Sequence, residues 1–281
     1  MLATAEIQGV PRTAQAHPLH AWRLRSEPYY QPVGNEIEAF EAAHSAHLPV
    51  MLKGPTGCGK TRFVEHMAWR LGLPLVTVAC HEDLTAGDLA GRWLLDAQGM
   101  RWQDGPLALA ARHGALCYLD ELVEARSDAT VLLHPLADTR QVLPLERCGE
   151  LLHAHPDFRL VVSYNPGYQA AHKALKPSTR QRFTALTFDY PAAAVEAAIV
   201  AQEAGVDAAL AERLVALGHR TRHLQTHGLE EGASTRMLVH AAALVRAGLT
   251  SRAACLQAIA VPLSDDPDIA AALQGVVHAS F

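Results

Sequence analysis

Hydrophobic residues follow two patterns along this chain, and the pattern changes near residue 190. Before that point, short and nearly continuous apolar runs alternate with segments of helical periodicity, which is typical of parallel strands covered on both faces. The predicted strands are 48–52, 73–80, 115–121, 158–166 and 184–188. The helices predicted between them are 37–46, 62–71, 81–90, 105–112 and 127–136. This alternation predicts an α/β domain built on a parallel sheet.

Beyond residue 190 the chain is rich in alanine and leucine with helical periodicity, which predicts a second domain made only of helices. The predicted breaks between these helices are near Gly205, Gly218, 228–232 and Gly248. Residues at the start of the chain mix Pro, His, Ala and Arg without periodicity. The predicted organisation is an N-terminal arm (1–26), an α/β domain (27–190) and a small helical lid domain with a C-terminal tail (191–281).

Two β-hairpins are predicted inside the α/β domain. The first covers 91–102, and the second lies around the Cys148-Gly149 turn. Trp93, Met100 and Trp102 place large apolar groups on the first hairpin. Such groups on a protruding loop indicate either a surface that grips another protein or packing against the parent domain, and the sequence leaves both open.

A glycine-rich turn follows the first predicted strand and precedes a helix. It consists of Gly54, Pro55, Thr56, Gly57, Cys58, Gly59, Lys60 and Thr61, and it matches G-x-x-x-x-G-K-[ST] at every fixed position. In this motif, backbone N–H groups and the positive end of a helix dipole bind phosphate oxygens. Lys60 is expected at the β- and γ-phosphates of ATP, and Thr61 at Mg²⁺. A ligand-free turn is the alternative, which the flanking strand and helix disfavour.

Two features near this turn allow more than one interpretation. The helix N-terminus could lower the pKa of the Cys58 thiol and make it oxidisable, but a small residue that fits the loop is the simpler interpretation. Val33 and Gly34 lie in a turn-rich stretch before the first helix, where their backbone could contact an adenine ring. A simple connector is an equally good interpretation of that stretch.

Polar residues end two of the predicted strands. Asp120 and Glu121 follow an apolar strand, and Asn165 lies at the tip of the next one. We expect Asp120 to orient Mg²⁺ and Glu121 to polarise the attacking water, because adjacent residues of a strand point in opposite directions. Asn165 is expected to hold that water or the γ-phosphate. Solvation of a sheet edge is the alternative for the two acids.

Three arginines complete the candidate site. Arg180 and Arg182 precede the last predicted strand, from which they could reach a nucleotide held by an adjacent subunit and stabilise transition-state charge. Arg236 starts a helix of the second domain and could return to the γ-phosphate. Surface arginines paired with acids are the alternative for Arg180 and Arg182.

Composition limits the possible partners. The chain has 281 residues, a formal net charge of −5, five cysteines without a C-x-x-C pair and sixteen histidines. That charge provides no basic field for a nucleic-acid backbone, so we expect no nucleic-acid partner. We also expect reduced thiols, no zinc site, no membrane span and a cytoplasmic location.

This order of motifs resembles the AAA+ ATPases of the MoxR branch. The residues that carry the resemblance are Gly54–Thr61, Asp120-Glu121, Asn165, Arg180/Arg182 and Arg236, in the positions of Walker A, Walker B, sensor 1, arginine fingers and sensor 2. Further runs are similar to the CbbQ/NirQ/NorQ subgroup. They are Val33–Glu36, Lys53–Glu65, Trp102–Leu107, Ser163–Tyr168, Lys176–Phe183 and Gly232–Arg236. The resemblance covers about residues 28–250, and the tail beyond 250 has no match.

The resemblance implies a homo-hexameric ATPase that remodels other proteins with a partner carrying a von Willebrand factor A (VWA) domain. Within the subgroup, CbbQ with CbbO releases inhibitory sugar phosphates from Rubisco, whereas NorQ or NirQ with NorD matures nitric oxide reductase. Overall similarity favours the Rubisco-activase component CbbQ. One remoter alternative is a P-loop small-molecule kinase, which the adjacent acids followed by a helical domain disfavour. Another is a nucleotide-dependent scaffold, which the intact set of Lys60, Asp120, Glu121 and Arg236 disfavours.

Overall fold

The central sheet of the protein is parallel, as predicted. The structure is a computed structural model that describes residues 19–97, 99–166, 175–224 and 229–281. Its strands are neighbours in the order β2-β5-β8-β1-β9, whereas β3 pairs with β4 and β6 with β7 in antiparallel hairpins. The strands are β1 (Val50–Lys53), β2 (Leu75–Ala79), β3 (Gly91–Asp96), β4 (Gly99–Asp104), β5 (Leu116–Asp120), β6 (Val142–Leu145), β7 (Glu150–His153), β8 (Arg159–Tyr164) and β9 (Thr184–Thr187).

Helices cover both faces of this sheet. They are α1 (Glu36–Ser45), α2 (Lys60–Arg70), α3 (Ala86–Ala90), α4 (Pro106–His113), α5 (Ser127–Leu132) and α6 (Pro177–Arg180). Strand residues alternate between two hydrophobic clusters. Leu52 and Tyr118 pack with α1 and α2, whereas Met51 and Leu119 pack with α4 on the other face. This alternation explains why the central strands β1, β5 and β8 are mostly apolar, since neither of their faces meets water.

The hairpins answer the question that the sequence left open about their aromatic residues. Trp93 and Trp102 pack edge to face, with ring centroids 5.7 Å apart. The Trp93 indole N–H donates to the Arg147 carbonyl of the second hairpin at 2.9 Å. Leu95 and Met100 instead point into solvent, with 81% and 67% of their surface exposed. Trp93 therefore connects the two hairpins, and the most exposed apolar side chains of the first hairpin are at its tip.

The helical part of the chain has its own hydrophobic core. Its helices are α7 (Ala193–Ala204), α8 (Ala208–His223), α9 (Thr235–Arg246), α10 (Ser251–Cys255), α11 (Val261–Leu263) and α12 (Pro267–Ser280), with a π-helical segment, Leu256–Ala260, between α10 and α11. Cys255, Leu273 and Val277 are buried in this core, so the tail beyond residue 250 is an integral part of it.

The predicted helix break at Gly218 is wrong, because α8 continues through it. A Cβ at this position would lie 3.0 Å from Leu238 Cδ1 of α9. Glycine therefore permits the close contact of two helices here and does not end one. Gly205 and Gly248 do follow α7 and α9 with positive φ angles, as expected at helix ends. Residues 229–232 of the break predicted at 228–232 are non-helical and lie between α8 and α9, as expected, whereas residue 228 and the arm residues 1–18 lie outside the described residues.

The described end of the arm packs on the α/β domain. Leu19 is fully buried in the core beneath the sheet, and Arg23 donates to the Gly72 carbonyl at 2.6 Å. Within the described part of the chain, no helix combines the length and the apolar character needed to cross a lipid bilayer.

Candidate active site

The glycine-rich turn forms a phosphate-binding loop between β1 and α2. Gly57 and Gly59 have φ angles of 67° and 102°, which other residues rarely adopt. Helix α2 begins at Lys60, so the loop N–H groups and the helix dipole converge on one point. The Lys60 ammonium donates to the carbonyls of Gly54 and Pro55, at 2.8 and 2.7 Å. The Lys60 ammonium group therefore lies at the opening of the phosphate-binding loop.

The neighbouring strand β5 ends at Asp120, which two hydroxyl groups hold. The Tyr118 hydroxyl donates to Asp120 Oδ1 at 2.6 Å, and the Ser163 hydroxyl donates to the same oxygen at 2.5 Å. Tyr118 also interacts with the Thr61 side chain. Asp120 and Thr61, the two predicted ligands of Mg²⁺, are thus connected through one hydroxyl. Oxygen ligands of this kind suit a hard cation such as Mg²⁺.

Glu121 follows in a left-handed backbone conformation, with φ of 55°. Its N–H donates to the fully buried Ser163 hydroxyl at 2.7 Å, which supports this costly conformation. Desolvation, followed by the charges of Asp120 and Glu124, raises the pKa of Glu121, although nearby cations oppose the effect. A carboxylate with a raised pKa is suited to accept a proton from water.

Asn165 lies just beyond β8, beside the phosphate loop. Its side-chain amide donates to Thr56 Oγ1 at 3.1 Å and to the Glu231 carboxylate at 3.3 Å. Since β8 lies between β5 and β1 in the sheet, Asn165 stands between the acidic strand end and the loop. Glu231 belongs to the helical part of the chain, which therefore closes over the loop.

Arg236 enters the same site from the N-terminus of α9. Its helix is capped by Ser234, whose hydroxyl accepts from the Met237 N–H. Ser234 packs so closely on Gly57 that a Cβ on this glycine would lie 2.6 Å from the Ser234 hydroxyl. The positive charge of Arg236 is one of those that oppose the raised pKa of Glu121. The contact of Ser234 with the loop thus fixes the arginine above the phosphate loop.

These residues surround a cavity of about 560 Å³. One end is polar, with Lys60, Thr61, Asp120, Glu121, Asn165 and Arg236 in its wall. Apolar surface comes from Tyr29, Tyr30, Val33, Phe188, Ile199 and Val239, beside the charged side chains of Arg62, Glu65 and Glu203. A cavity of this size and polarity fits a nucleotide whose base is buried and whose phosphates face cations.

A model of the "AAA domain (dynein-related subfamily)" matches residues 49–183, and one of the "CbbQ/NirQ/NorQ C-terminal" region matches residues 196–280. The chain is 61% identical over 258 residues to protein CbbQ of Hydrogenophilus thermoluteolus, which covers 92% of this chain and 97% of that protein. The chain belongs to the CbbQ/NirQ/NorQ family of AAA+ ATPases. It is also 61% identical over 254 residues to the denitrification regulatory protein NirQ of Stutzerimonas stutzeri, with 90% and 92% covered.

The fold of this CbbQ/NirQ/NorQ family member is that of the AAA+ proteins. A RuvB variant from Thermotoga maritima superposes with a TM-score of 0.55 over 90% of this chain and 73% of that chain, at 19% identity. The predicted fold, the family resemblance and the ATPase activity are therefore confirmed. The family match extends to residue 280, which corrects the limit near 250 that we expected from the sequence.

Val33 and Gly34, the two residues predicted to contact adenine, have different positions relative to the cavity. Val33 lines the cavity, but its N–H donates to Glu36 Oε1 at 2.9 Å. Gly34 does not line it, and a Cβ at Gly34 would lie 3.3 Å from the other Glu36 oxygen. The Val33 N–H is thus hydrogen-bonded within the turn and does not point to a base. Only the side chain and the carbonyl group of Val33 remain for a base.

The structure does not bring the two predicted finger arginines to the cavity of their own chain. Arg180 ends α6 in an exposed position. Arg182 donates to the Ser178 carbonyl, and its buried Nε has no hydrogen-bond partner among the described residues. These positions leave both arginines at the rim of the α/β domain, where a role toward an adjacent subunit stays a prediction.

Cys58 is 8% exposed, and burial raises the pKa of its thiol despite the opposing charge of Lys60. A buried thiol with a raised pKa is a poor nucleophile, which supports the interpretation of Cys58 as a packing residue.

Three contact residues escaped the sequence analysis. Ser163 lies two positions before Asn165, so strand alternation places both on one side of β8 and could have identified it. Tyr190 donates to the Thr56 carbonyl at 3.1 Å, and Glu231 accepts from Asn165. No spacing rule connects either residue with the phosphate loop, since both contacts depend on how the helical part packs.

Proposed function

We propose that this chain is the motor subunit of a Rubisco activase, which uses ATP to release inhibitory sugar phosphates from Rubisco with a VWA-domain partner. Membership of the CbbQ/NirQ/NorQ family supports the remodelling role. The observation that carries the catalytic part is the convergence of Lys60, Asp120, Glu121, Asn165 and Arg236 on one cavity. The unpaired state of all five cysteines fits a cytoplasmic location.

We assign each residue a role from its position. Lys60 and the loop N–H groups hold the phosphates, Thr61 and Asp120 hold Mg²⁺, and Glu121 accepts the proton of the attacking water. When bound, Mg²⁺ supplies charge neutralisation at the phosphate oxygens. Asn165 orients the water or the γ-phosphate, and Arg236 stabilises the charge that develops during transfer. Val33 contributes its side chain and carbonyl to the base pocket, and the glycines of the loop allow close approach of the phosphates.

We further propose that six copies form a ring in which Arg182 of one subunit completes the site of the next. The position of Arg182 supports this, because it lies just before β9, the edge strand of the sheet, where a side chain can reach a neighbouring subunit. Arg180, which is exposed on the same rim, is the alternative finger.

A role in denitrification is the second candidate function. The relative named as a denitrification regulatory protein is as similar to this chain, at 61% identity, as the CbbQ relative is. The ATPase site would be the same in both cases. In this alternative, a NorD-like partner would replace the CbbO-like one, and nitric oxide reductase would be the client.

The decisive experiment presents both clients to the same preparation. Purified chain and a VWA-domain partner are added with ATP to Rubisco inhibited by a sugar phosphate, and carboxylation is followed. We expect recovery of activity with wild type and none with the Glu121→Gln variant. If Rubisco activity does not recover, and nitric oxide reductase is activated by ATP in the presence of its partner, the second candidate function would replace the first.

Nucleotide binding tests the site itself. Lys60→Ala removes the only side-chain cation of the phosphate loop, so we expect binding of ATP and ADP to be lost, as measured by calorimetry. Arg70→Ala is the matched control, because Arg70 lies on the same helix, pairs with Glu41 at the surface and does not line the cavity. Retained affinity in the Lys60→Ala variant would contradict the assignment of the whole site.

A further inference from the structure

Thr56 of the phosphate loop is held at each of its three polar groups by a residue from outside the loop. Its carbonyl accepts from the Tyr190 hydroxyl at 3.1 Å, and its Oγ1 accepts from Asn165 at 3.1 Å. Its N–H faces the Glu231 carboxylate at 3.5 Å. Asn165 also donates to Glu231, so two of these partners are joined to each other, whereas Tyr190 holds the Thr56 carbonyl from a separate position. Together these contacts define the orientation of the Thr56 peptide.

Tyr190 is in turn held by the helical domain. The Arg222 guanidinium of α8 stacks on the tyrosine ring, 3.8 Å from its centroid. Stacking of this kind contributes more when the pair is shielded from water, and the side chain of Arg222 is 12% exposed. Burial also raises the pKa of Tyr190, so its hydroxyl stays protonated and remains a donor to Thr56.

Arg222 cannot shift without disturbing the start of α9. It donates two hydrogen bonds to the fully buried Glu196, at 2.8 and 2.6 Å, and a third to the Ala233 carbonyl at 2.8 Å. Glu196 also accepts from the Thr235 hydroxyl at 2.6 Å. Thr235 is the residue before Arg236, so one buried network connects the base of this arginine with the ring of Tyr190.

We infer that Tyr190 is a positioning residue that couples the helical domain to γ-phosphate recognition by fixing the Thr56 peptide. Arg222 and Glu196 transmit the position of the helical domain to Tyr190. The inference rests on the proposed site, in which Asn165 lies at the γ-phosphate end and Lys60 in the phosphate loop. Thr56 touches Asn165, whereas the N–H groups that would hold the α- and β-phosphates follow Thr56 in the loop.

A comparison of ATPγS with ADP tests this role, because a folding defect would weaken both nucleotides. The variant Tyr190→Phe keeps the ring on Arg222 and removes only the hydroxyl. We expect it to bind ATPγS roughly three- to ten-fold more weakly, the range for one neutral hydrogen bond, with ADP affinity unchanged. Both dissociation constants are measured by calorimetry with Mg²⁺ on the full chain, and kcat should fall in the same variant.

Arg222→Lys extends the test to the helical domain. Lysine keeps the charge but cannot bond Glu196 at two points or stack as a planar group. We expect the same selective loss of ATPγS affinity. The control is Arg220→Lys, on the same helix, where Arg220 donates to the Ser280 hydroxyl at 3.1 Å and has no part in the network. That control should bind both nucleotides as wild type does.

Equal weakening of ATPγS and ADP in Tyr190→Phe, or no change in either, would overturn the inference. The proposed site is tested separately by Lys60→Ala, which should lose both nucleotides. If Lys60→Ala loses both nucleotides and Tyr190→Phe does not lose ATPγS affinity selectively, only the positioning role of Tyr190 would be contradicted.

Discussion

Asp120 and Glu121 are neighbouring carboxylates whose surroundings differ. Two hydroxyl groups fix the orientation of Asp120, and one of them also contacts Thr61. Glu121 leaves the strand in a left-handed conformation, and its carboxylate is partly desolvated beside Asp120. The sequence predicted different roles for the two acids from strand alternation. The structure adds that Ser163 enforces the difference, because it donates to one residue and accepts from the other.

The variant Glu121→Gln tests the role of this carboxylate as the catalytic base. Glutamine keeps the shape but cannot accept a proton, so kcat should fall by about 10²-fold or more while ATP still binds. The raised pKa of Glu121 means that the wild-type base is lost as pH falls through a value above that of an ordinary glutamate. The acid limb of the kcat profile should therefore lie above about pH 4.3 and disappear in the variant. Rapid turnover by the variant would place the base elsewhere.

The two hairpins are connected by one arginine. Arg112 of α4 donates to Asp104 of β4 at 2.7 Å and to Glu150 of β7 at 2.7 and 2.8 Å. Trp93 adds a second connection through the Arg147 carbonyl. Sequence periodicity predicted both hairpins, but no local pattern indicates that they form one unit. Charged residues far apart in sequence pair only after α4 has packed against the sheet.

We predict that Arg112→Met loosens both hairpins together. The variant removes the partner of Glu150 and leaves Asp104 with the Trp102 indole N–H as its remaining donor among the described residues, which should reduce local stability by about 1–3 kcal/mol. Hydrogen–deuterium exchange should then accelerate in β3–β4 and in β6–β7. Arg101→Met is the control, because its pair with Asp96 is mostly exposed and such pairs contribute about 0–1 kcal/mol. Acceleration confined to one hairpin would show that they are independent.

For the molecule as a whole, the cavity of a single chain lacks the two arginines that the family resemblance assigns as arginine fingers. Arg180 and Arg182 lie at the rim, and neither lines the cavity of its own chain. The helical domain, in contrast, contributes Arg236, Glu231 and the Tyr190 anchor to the same cavity or loop. The position of this domain therefore affects the site directly, and we propose that an adjacent subunit completes it.

Mixed assemblies test this dependence. We predict that Arg182→Ala alone lowers kcat by roughly 10³-fold, as loss of an arginine finger does. Mixing Arg182→Ala subunits with Glu121→Gln subunits should restore part of the ATPase activity. At some interfaces an intact glutamate would then meet an intact arginine. Absence of rescue would make Arg182 a structural residue, and rescue with Arg180→Ala in its place would assign the role to Arg180.

The sequence alone determined the strands, the hairpins and the candidate residues for phosphate and metal binding, because these depend on local periodicity and on short motifs. It did not determine the contacts between distant segments. Thr56 and Glu231 are 175 positions apart, and Gly218 resembles a helix end until Leu238 packs on it. Such contacts follow from the packing of whole elements. Only the tertiary structure therefore decided how the helical domain holds the phosphate loop and which arginines face away from it.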